Sequence, residues 1–214
     1  GVFNIPTMRL LNKYKNIIPH EFSNKENINI LEFGVEKGNT TKLFIDLADK
    51  NNGSAISVDV IDCSHLFKNK NWKFVKSRDD NFEFINTFLT KKNFDIICLD
   101  TIHTKKHVKI ILEYYFKFLK IGGIFLIDGI SSLPYLKSNY RNNFFSEVNN
   151  NEIFEYLICL KNNTKNEIDL DFSFEGSGVA RIRKNKDCML KEQKLKSRSK
   201  SIKNFLRKIF LYFK

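Results

Sequence analysis

Short apolar segments alternate with helical segments along most of the chain, and this alternation constrains the fold more than any other feature. Residues 30–33, 94–99 and 124–127 are largely apolar segments of strand length, and each stops at a glycine or an aspartate. Nearly continuous apolar strands are typical of a parallel sheet that is covered by helices on both faces. Residues 105–119, between two of these strands, have the spacing of a strong helix. The pattern therefore predicts an α/β domain.

The pattern changes near the end of this domain. Residues 168–174 alternate between apolar and polar side chains, turn at a Gly-containing tetrapeptide, and continue as residues 179–183. That arrangement is a hairpin signal. Five parallel strands followed by a hairpin give a mostly parallel, seven-stranded sheet that ends in antiparallel strands. We therefore place the domain at residues 1–183, with an N-terminal helical segment in residues 1–28 that includes a helix over residues 7–18.

A glycine-containing turn follows the first strand in the sequence ILEFGVEKGNTTKL, residues 30–43. Gly34 allows a tight turn, and Gly38 lets the next helix start close to the sheet. Such a turn leaves backbone N–H groups and a helix N-terminus facing a ligand. The dinucleotide fingerprint GxGxxG is absent, which disfavours a pyrophosphate site. Taken alone, the turn is equally consistent with a tight strand-to-helix connection that binds nothing.

Acidic residues recur at the C-terminal ends of the predicted strands. Asp59, at the end of the second strand, can accept hydrogen bonds from both hydroxyls of a ribose, and Asp79 follows the third strand, where a side chain can meet an adenine edge. In an open parallel sheet, ligands bind outside the carboxyl ends of the strands. Five acidic residues in register with the strands indicate a binding crevice: Glu32, Asp59, Asp79, Asp100 and Asp128.

Together these segments resemble the class I S-adenosylmethionine-dependent methyltransferases. The ExGxxxGxT segment at residues 32–40 is similar to that family's first motif, SVDVID at 57–62 resembles the second, and FDIICLD and LKIGGIFLIDG resemble its fourth and fifth strands. The resemblance implies a Rossmann-like class I methyltransferase fold, with helices on both faces of the sheet and S-adenosylmethionine as cofactor. It implies these cofactor contacts: Gly34 and Gly38 make room for the amino-acid part, Glu32 orders the turn, Asp59 holds the ribose and Asp79 lies near the adenine.

The tetrapeptide Asp100-Thr101-Ile102-His103 is the clearest candidate for the chemistry. His103 lies just past the end of the fourth strand, where the methyl group would be delivered. A neutral imidazole is a suitable base for a hydroxyl proton near pH 7. We therefore predict that His103 and Asp100 are catalytic, while a histidine that caps the following helix is the alternative. His107, one helical turn later, is better explained by a structural role.

Asp100 and Asp128 end neighbouring strands, so their carboxylates should converge on one crevice. With waters and two substrate oxygens they would make an octahedral Mg²⁺ site. The D-x-x-H element and the later aspartate resemble the macrocin-type sugar O-methyltransferases and a broader group of rhamnosyl methyltransferases and cephalosporin hydroxylases. Those relatives usually add a carboxylate or amide beside the second aspartate, whereas the flanking residues here are Ile127 and Gly129.

This resemblance implies an O-methyltransferase that acts on a sugar hydroxyl in a glycan or glycolipid. A substrate oxygen would attack the sulfonium methyl in line, with metal assistance and His103 as the base. The acceptor pocket would lie between the N-terminal segment and residues 130–146, where Tyr135 and Tyr140 can stack on a sugar and Arg141 can bind an anion. An ordinary surface loop is the better explanation of these three residues.

The basic charge of the chain is concentrated in its last segment. The formal net charge is +12, and residues 184–214 hold 11 Lys or Arg residues against Asp187 and Glu192, so this segment carries +9 of it. We interpret it as a basic linker followed by an amphipathic helix over residues 201–214. Such a helix can lie on an anionic membrane surface, or pack on its own domain or on a partner.

The sequence disfavours two other function classes. A nucleic-acid-binding or nucleic-acid-modifying protein would use the basic tail, but the remaining residues carry only +3 of the charge. A silent methyltransferase fold that serves as an interaction module is disfavoured by the acidic residues and the histidine described above. The N-terminus has no signal-peptide pattern, and the cysteines form no CxxC pair, which favours a cytoplasmic protein with reduced thiols: Cys63, Cys98, Cys159 and Cys188.

Overall fold

The computed structural model describes residues 13–90, 92–192 and 201–212. Its centre is a seven-stranded sheet in the order β3-β2-β1-β4-β5-β7-β6. The strands are β1 (Asn29–Phe33), β2 (Ser54–Asp59), β3 (Trp72–Lys76), β4 (Phe94–Leu99), β5 (Leu119–Asp128), β6 (Ile168–Ser173) and β7 (Val179–Lys184). The first five are parallel, and β7 runs antiparallel between β5 and β6. The predicted fold class, a Rossmann-like sheet with a C-terminal antiparallel hairpin, is confirmed.

Besides the helical residues 13–17, the described residues form five α-helices: α1 (Asn39–Lys50), α2 (Phe82–Phe88), α3 (Lys105–Tyr115), α4 (Phe144–Thr164) and α5 (Ile202–Tyr212). The helix predicted up to residue 119 ends earlier, because residues 116–118 form a 3₁₀ turn and Leu119 already begins β5. Residues 13–17 are helical, and the first part of the helix predicted over residues 7–18 lies outside the described residues. Among the described helices none is long and apolar enough to cross a membrane.

The sheet divides the apolar core into two layers. Residues next to each other along β1 point to opposite faces, as expected for a strand. Leu31 and its β4 neighbour Ile97 pack in the layer that α3 and α4 cover, while Ile30 and its neighbour Ile96 pack in the layer that α1 covers. All five residues of β1 are buried. This two-sided burial explains why the central strands lack a polar face in the sequence.

The turns that follow β1 and β4 touch each other. The backbone N–H of Asp100 donates to the carbonyl oxygen of Phe33 at 2.8 Å. Gly34 has φ of 93°, and a Cβ atom on this residue would overlap the carbonyl oxygen of Asp100. The order of the strands reverses between β1 and β4, which is the position where open α/β sheets bind ligands. A residue without a side chain is therefore required at the centre of the predicted crevice.

The start of the predicted basic linker is part of the folded domain. The backbone N–H of Asn185 donates to Glu167 at 2.9 Å, and Cys188 and Leu190 pack against the larger core layer. Glu192 accepts hydrogen bonds from Lys105 and Lys109 of α3 at 2.5 and 3.2 Å. Residues 185–192 therefore cover the domain, although their polar sequence predicted a linker. Residues 193–200 and 213–214 lie outside the described residues.

We predict that two C-terminal truncations differ in stability. Removal of the residues after Glu192 should leave the melting temperature within about 2 °C of that of the full chain. Removal of the residues after Lys184 should lower it by about 3–8 °C, because packing and ion pairs worth roughly 1–3 kcal/mol are lost. Differential scanning calorimetry measures both values. Equal melting temperatures for the two truncations would contradict the assignment of residues 185–192 to the domain.

Candidate active site

Glu32 lies buried beneath the glycine turn and ties three elements together. Its Oε2 accepts hydrogen bonds from Thr41 of α1 at 2.8 Å and from Ser57 of β2 at 2.6 Å. Burial raises the pKa of Glu32 to about 8, against the opposing effect of these two hydrogen bonds. Its Oε1 has no partner among the described residues. The side chain thus connects the end of β1 to the start of α1 from below.

Asp59 fixes the same turn from its open side. Its Oδ2 accepts hydrogen bonds from the backbone N–H groups of Val35 and Glu36 at 2.7 and 3.2 Å, and its Oδ1 accepts one from Ile61 at 2.9 Å. Oδ2 already accepts two hydrogen bonds, but Oδ1 accepts only one and has a second lone pair. Asp59 can therefore hold the turn and still accept a hydroxyl of a ligand. Gly38, the N-cap of α1, has φ of 75°, and a Cβ atom there would lie 2.8 Å from the ring of Phe67.

Two adjoining cavities follow the C-terminal edge of the sheet and share Gly34, Asp59 and Asp100. The smaller has a volume of about 130 Å³ and is lined by the turn after β1, by the start of α1 and by the N-terminal helical residues Lys13 and Tyr14. The larger has a volume of about 300 Å³ and extends towards β3 and the turn after β4, where it is lined by residues that include Val58, Ser77, Asp79, Thr101 and Ile102. The two form one cleft with a polar and a more apolar end.

Asp79 lines the larger cavity, but its carboxylate is directed to α3. Its Oδ2 accepts a hydrogen bond from Thr101 at 2.5 Å and lies 2.7 Å from Nε2 of His107. The side chain of Asp79 is 5% exposed and that of His107 is 10% exposed. This contact gives His107 the structural role that its place in the sequence favoured. The adenine contact expected of Asp79 stays a prediction, and the Asp79–His107 pair was not foreseen because the two residues belong to different segments.

Asp100 and His103 are brought together at the end of β4. Nε2 of His103 lies 3.1 Å from Oδ1 of Asp100, and both side chains are about one third exposed, at 31% and 38%. Burial lowers the pKa of His103, but the hydrogen bond to Asp100 and the charges of Asp128 and Asp100 raise it more, so the pKa lies above its ordinary value. A Cβ atom on Gly129 would overlap the imidazole ring. Gly129 therefore makes room for His103.

Asp128 is buried in a cluster that the sequence did not predict. Lys13 forms an ion pair with its Oδ2, Tyr14 donates to the same oxygen at 2.7 Å, and Ser177 donates to its Oδ1 at 2.8 Å. The hydroxyl of Tyr14 also lies 3.4 Å from Oδ2 of Asp100. Burial raises the pKa of Asp128, but the Lys13 ammonium and His103 lower it more, so it lies below its ordinary value. Tyr14 thus bridges the two carboxylates that were expected to converge.

The residues of the expected magnesium site lie close together, but one of them is already paired with a lysine. Asp100, His103 and Asp128 each offer one ligand atom, and these atoms lie within 4.8 Å of one another. Both oxygens of Asp128 already accept hydrogen bonds, and a buried ammonium stands beside one of them. A divalent cation would have to displace Lys13 or tolerate its charge. The donor set in this arrangement does not fit magnesium, and no step below passes through a metal.

The residues expected in the acceptor pocket lie on the segment between β5 and α4. Tyr140 is 85% exposed, and the guanidinium of Arg141 stands 5.3 Å from its ring centroid. Tyr135 ends a short 3₁₀ turn in the same segment. None of the three lines either of the two cavities described above. The structure does not bring them to the cleft, and their contact with an acceptor stays a prediction.

Comparisons with known proteins agree with the geometry of the cleft. The family model of a methyltransferase domain, Methyltransf_24, matches residues 31–130, which extend from β1 into the turn after β5 and include Glu32, Asp59, Asp100, His103 and Asp128. Lys13, Tyr14 and Ser177 lie outside the matched residues. No curated protein sequence matches the chain.

Several solved structures are similar in fold. A structure of MycE methyltransferase from the mycinamycin biosynthetic pathway, in complex with Mg, SAH (S-adenosylhomocysteine) and mycinamycin VI, is 18% identical with a TM-score of 0.54, over 74% of this chain and 45% of that chain. A putative caffeoyl-CoA O-methyltransferase from Staphylococcus aureus is 18% identical with a TM-score of 0.58, over 86% and 85%. The SAH-bound Podospora anserina methyltransferase PaMTH1 is 16% identical with a TM-score of 0.57, over 86% and 89%.

The chain spans about half the length of the MycE chains that it matches. At these identities the structures show the fold. It is the Rossmann-like fold of class I methyltransferases, and the residues that the family model matches include the strands that carry the cleft.

Proposed function

We propose that this chain is an S-adenosylmethionine-dependent O-methyltransferase. The observation that carries the proposal is the Asp100–His103 pair, which stands at the end of β4 beside the cleft that Gly34 opens. The methyltransferase-domain match over residues 31–130 supports the reaction class. The alternative of a nucleic-acid protein is not favoured, because the family match concerns methyl transfer and no described residue of the basic segment lines either cavity.

The two ends of the cleft suit the two ends of the cofactor. The larger cavity, with Val58 and Ile102 in its lining, is the proposed adenosine end, and Asp59 at its border would accept the ribose hydroxyls. The smaller cavity, between Gly34 and the start of α1, would hold the amino-acid part. Asp100 lines both cavities. The sulfonium methyl would therefore lie near Asp100 and His103.

The proposed reaction needs a base but no covalent catalysis. The acceptor oxygen attacks the methyl carbon in line, the carbon–sulfur bond breaks with its electrons on sulfur, and the hydroxyl proton passes to His103. Because the carboxylate of Asp100 accepts from Nε2–H, the lone pair of His103 is on Nδ1. Gly129 makes room for the imidazole ring, because a Cβ atom on this residue would overlap Nδ1. Asp100 holds the ring in place.

We propose a sugar hydroxyl in a glycan or glycolipid as the acceptor. The D-x-x-H element and the likeness to MycE, solved with mycinamycin VI, support this choice. The likeness to a putative caffeoyl-CoA O-methyltransferase points instead to a phenolic hydroxyl. A screen with isotopically labelled S-adenosylmethionine against nucleotide sugars, glycolipids and catechols distinguishes the two classes. Methylation of nucleic acid alone would contradict the proposal.

The amphipathic helix α5 is proposed to contact an anionic membrane surface. Its apolar side chains are 40–82% exposed: Ile202, Phe205, Leu206, Ile209, Phe210 and Leu211. Lys203, Arg207 and Lys208 stand among them, and the helix contains no acidic residue. Basic side chains beside an exposed apolar face are complementary to anionic headgroups and the acyl boundary below them. This contact would bring the domain close to a glycolipid acceptor.

We predict that Asp59→Ala weakens the binding of S-adenosylhomocysteine by about 1–3 kcal/mol. The substitution removes the acceptor for the ribose hydroxyls and frees the backbone N–H groups of the glycine turn. Isothermal titration calorimetry measures the change. Asp62→Ala, a substitution at an exposed carboxylate on the following loop, is the matched control and should bind as the unmodified chain does. Absence of binding to the unmodified chain would overturn the proposed function.

We predict that His103→Ala lowers turnover about 10²–10⁴-fold, because the hydroxyl proton loses its acceptor. The affinity for S-adenosylhomocysteine should change little, since His103 lines neither cavity. Turnover is measured as label transfer to the acceptor identified in the screen, and His65→Ala on an exposed loop is the control. Unchanged turnover would show that His103 is not the base and that its role is structural.

We predict that the full chain sediments with vesicles that contain about 30% anionic lipid, and that Leu206→Asp reduces the bound fraction severalfold. The substitution places a charge on the apolar face of α5 while the basic residues stay. Added salt should weaken binding further by screening. Ile121→Asp, at an exposed position of β5, is the control. If the full chain does not bind anionic vesicles at low salt, the proposed membrane contact is wrong.

A further inference from the structure

We propose that the ammonium of Lys13 takes the place of a divalent cation at Asp100 and Asp128, so that methyl transfer by this chain does not depend on a metal. The inference rests on the proposed methyl transfer and concerns the same site. It assigns Lys13, which lies before the matched methyltransferase domain, as a positioning residue for the reaction. The contacts of Asp128, the ligands available nearby and the charge of the cleft each support it.

Lys13 is held firmly against Asp128. Its ammonium pairs with Oδ2 of Asp128 and donates to Ser177 at 3.0 Å, and Ser177 in turn donates to Oδ1 of Asp128 at 2.8 Å. The side chains of Lys13 and Asp128 are 2% and 3% exposed. Buried charges are tolerated only when they are paired and hydrogen-bonded. The closed ring of Lys13, Asp128 and Ser177 meets that condition without any further cation.

The remaining ligands for a metal are few. Oδ2 of Asp128 accepts from Lys13 and Tyr14, and Oδ1 accepts from Ser177. Ile127, before Asp128, is fully buried in the core and has no ligand atom, and Gly129, after it, has no side chain. The absence of a ligand on either side of Asp128 and the presence of a fixed cation at residue 13 act in the same direction. Both lower the affinity of the site for a divalent ion.

The charge of the site explains what Lys13 contributes. Asp100 and Asp128 are bridged by Tyr14, whose hydroxyl lies 2.7 Å from Asp128 and 3.4 Å from Asp100. Without a cation, these two carboxylates would oppose the negative charge that develops on the acceptor oxygen as its proton leaves. Lys13 neutralises one of them, and it lines the smaller cavity, whose lining also includes Asp100. Its charge therefore offsets this repulsion next to Asp100, where the sulfonium methyl is proposed to lie.

The first experiment titrates the full chain with Mn²⁺ and follows binding by calorimetry and by electron paramagnetic resonance. The unmodified chain should bind no Mn²⁺ at Asp128, so that its titration matches that of the Asp128→Asn variant. Lys13→Met should create such a site, because it frees Asp128, and the double variant with Asp128→Asn should lose it. Lys13→Arg, which retains the charge, and Lys15→Met, on an exposed lysine of the same helical segment, should behave like the unmodified chain.

Two results would overturn the inference. The first is Mn²⁺ binding by the unmodified chain that Asp128→Asn removes, and this measurement does not depend on the folding of any Lys13 variant. The second is a folded Lys13→Met variant that gains no Mn²⁺ site. S-adenosylhomocysteine binding is measured on the same samples, and its absence would overturn the proposed function but not the assignment of the cation.

Turnover gives the second readout. Activity of the unmodified chain should withstand a chelator, Lys13→Met should lose about 10²-fold or more, and Lys13→Arg should retain most of it. Added Mg²⁺ or Mn²⁺ should restore part of the activity of Lys13→Met, which a merely structural role of Lys13 would not produce. Activity of the unmodified chain that a chelator abolishes and Mg²⁺ restores would refute a metal-independent reaction.

Discussion

The close approach of two backbone turns at Gly34 and Asp100 is the constraint on which the site depends. A side chain at residue 34 would occupy the position of the Asp100 carbonyl oxygen. Because this position stays open, the turn after β1 and the turn after β4 meet at the point where the strand order reverses, and the two cavities join there. The glycine turn, Asp59 and the Asp100–His103 pair all take their positions from this contact. The contact itself needs only the absence of one Cβ atom.

The acidic residues at the strand ends serve different purposes, although they look alike in the sequence. Glu32 is buried and fastens the turn from within, and Asp79 is tied to His107 of α3. Asp59 retains a lone pair on Oδ1 for a ligand, and Asp100 orients an imidazole. What separates these roles is burial and the partner that each carboxylate meets. Neither can be read from the position of an acidic residue at the end of a strand.

The sequence predicted the sheet well because burial on both faces of a parallel strand leaves a local pattern, and it predicted Gly34 and His103 because motif spacing is also local. It did not predict Lys13 and Tyr14 as partners of Asp128. Lys13 precedes Asp128 by 115 positions and Tyr14 precedes it by 114, and contacts of such long range leave no pattern in either segment. Gly129 stands next to Asp128 and offers no ligand for a metal, and in the structure its missing side chain makes room for the ring of His103. Residues 185–192 have the composition of a linker because a polar segment can cover a domain through a few hydrogen bonds, two apolar side chains and the ion pairs of one glutamate.

The cluster around Asp128 joins the two ends of the domain. Lys13 and Ser177 are separated by 164 residues in sequence, yet both must reach the same carboxylate. Contacts of such long range form late, because the chain between them must first be ordered. During synthesis, Asp128 leaves the ribosome before Ser177 does, and its carboxylate has all these partners only when the N-terminal helical residues and the terminal hairpin have both docked. A chain in which either end is detached therefore lacks part of the site.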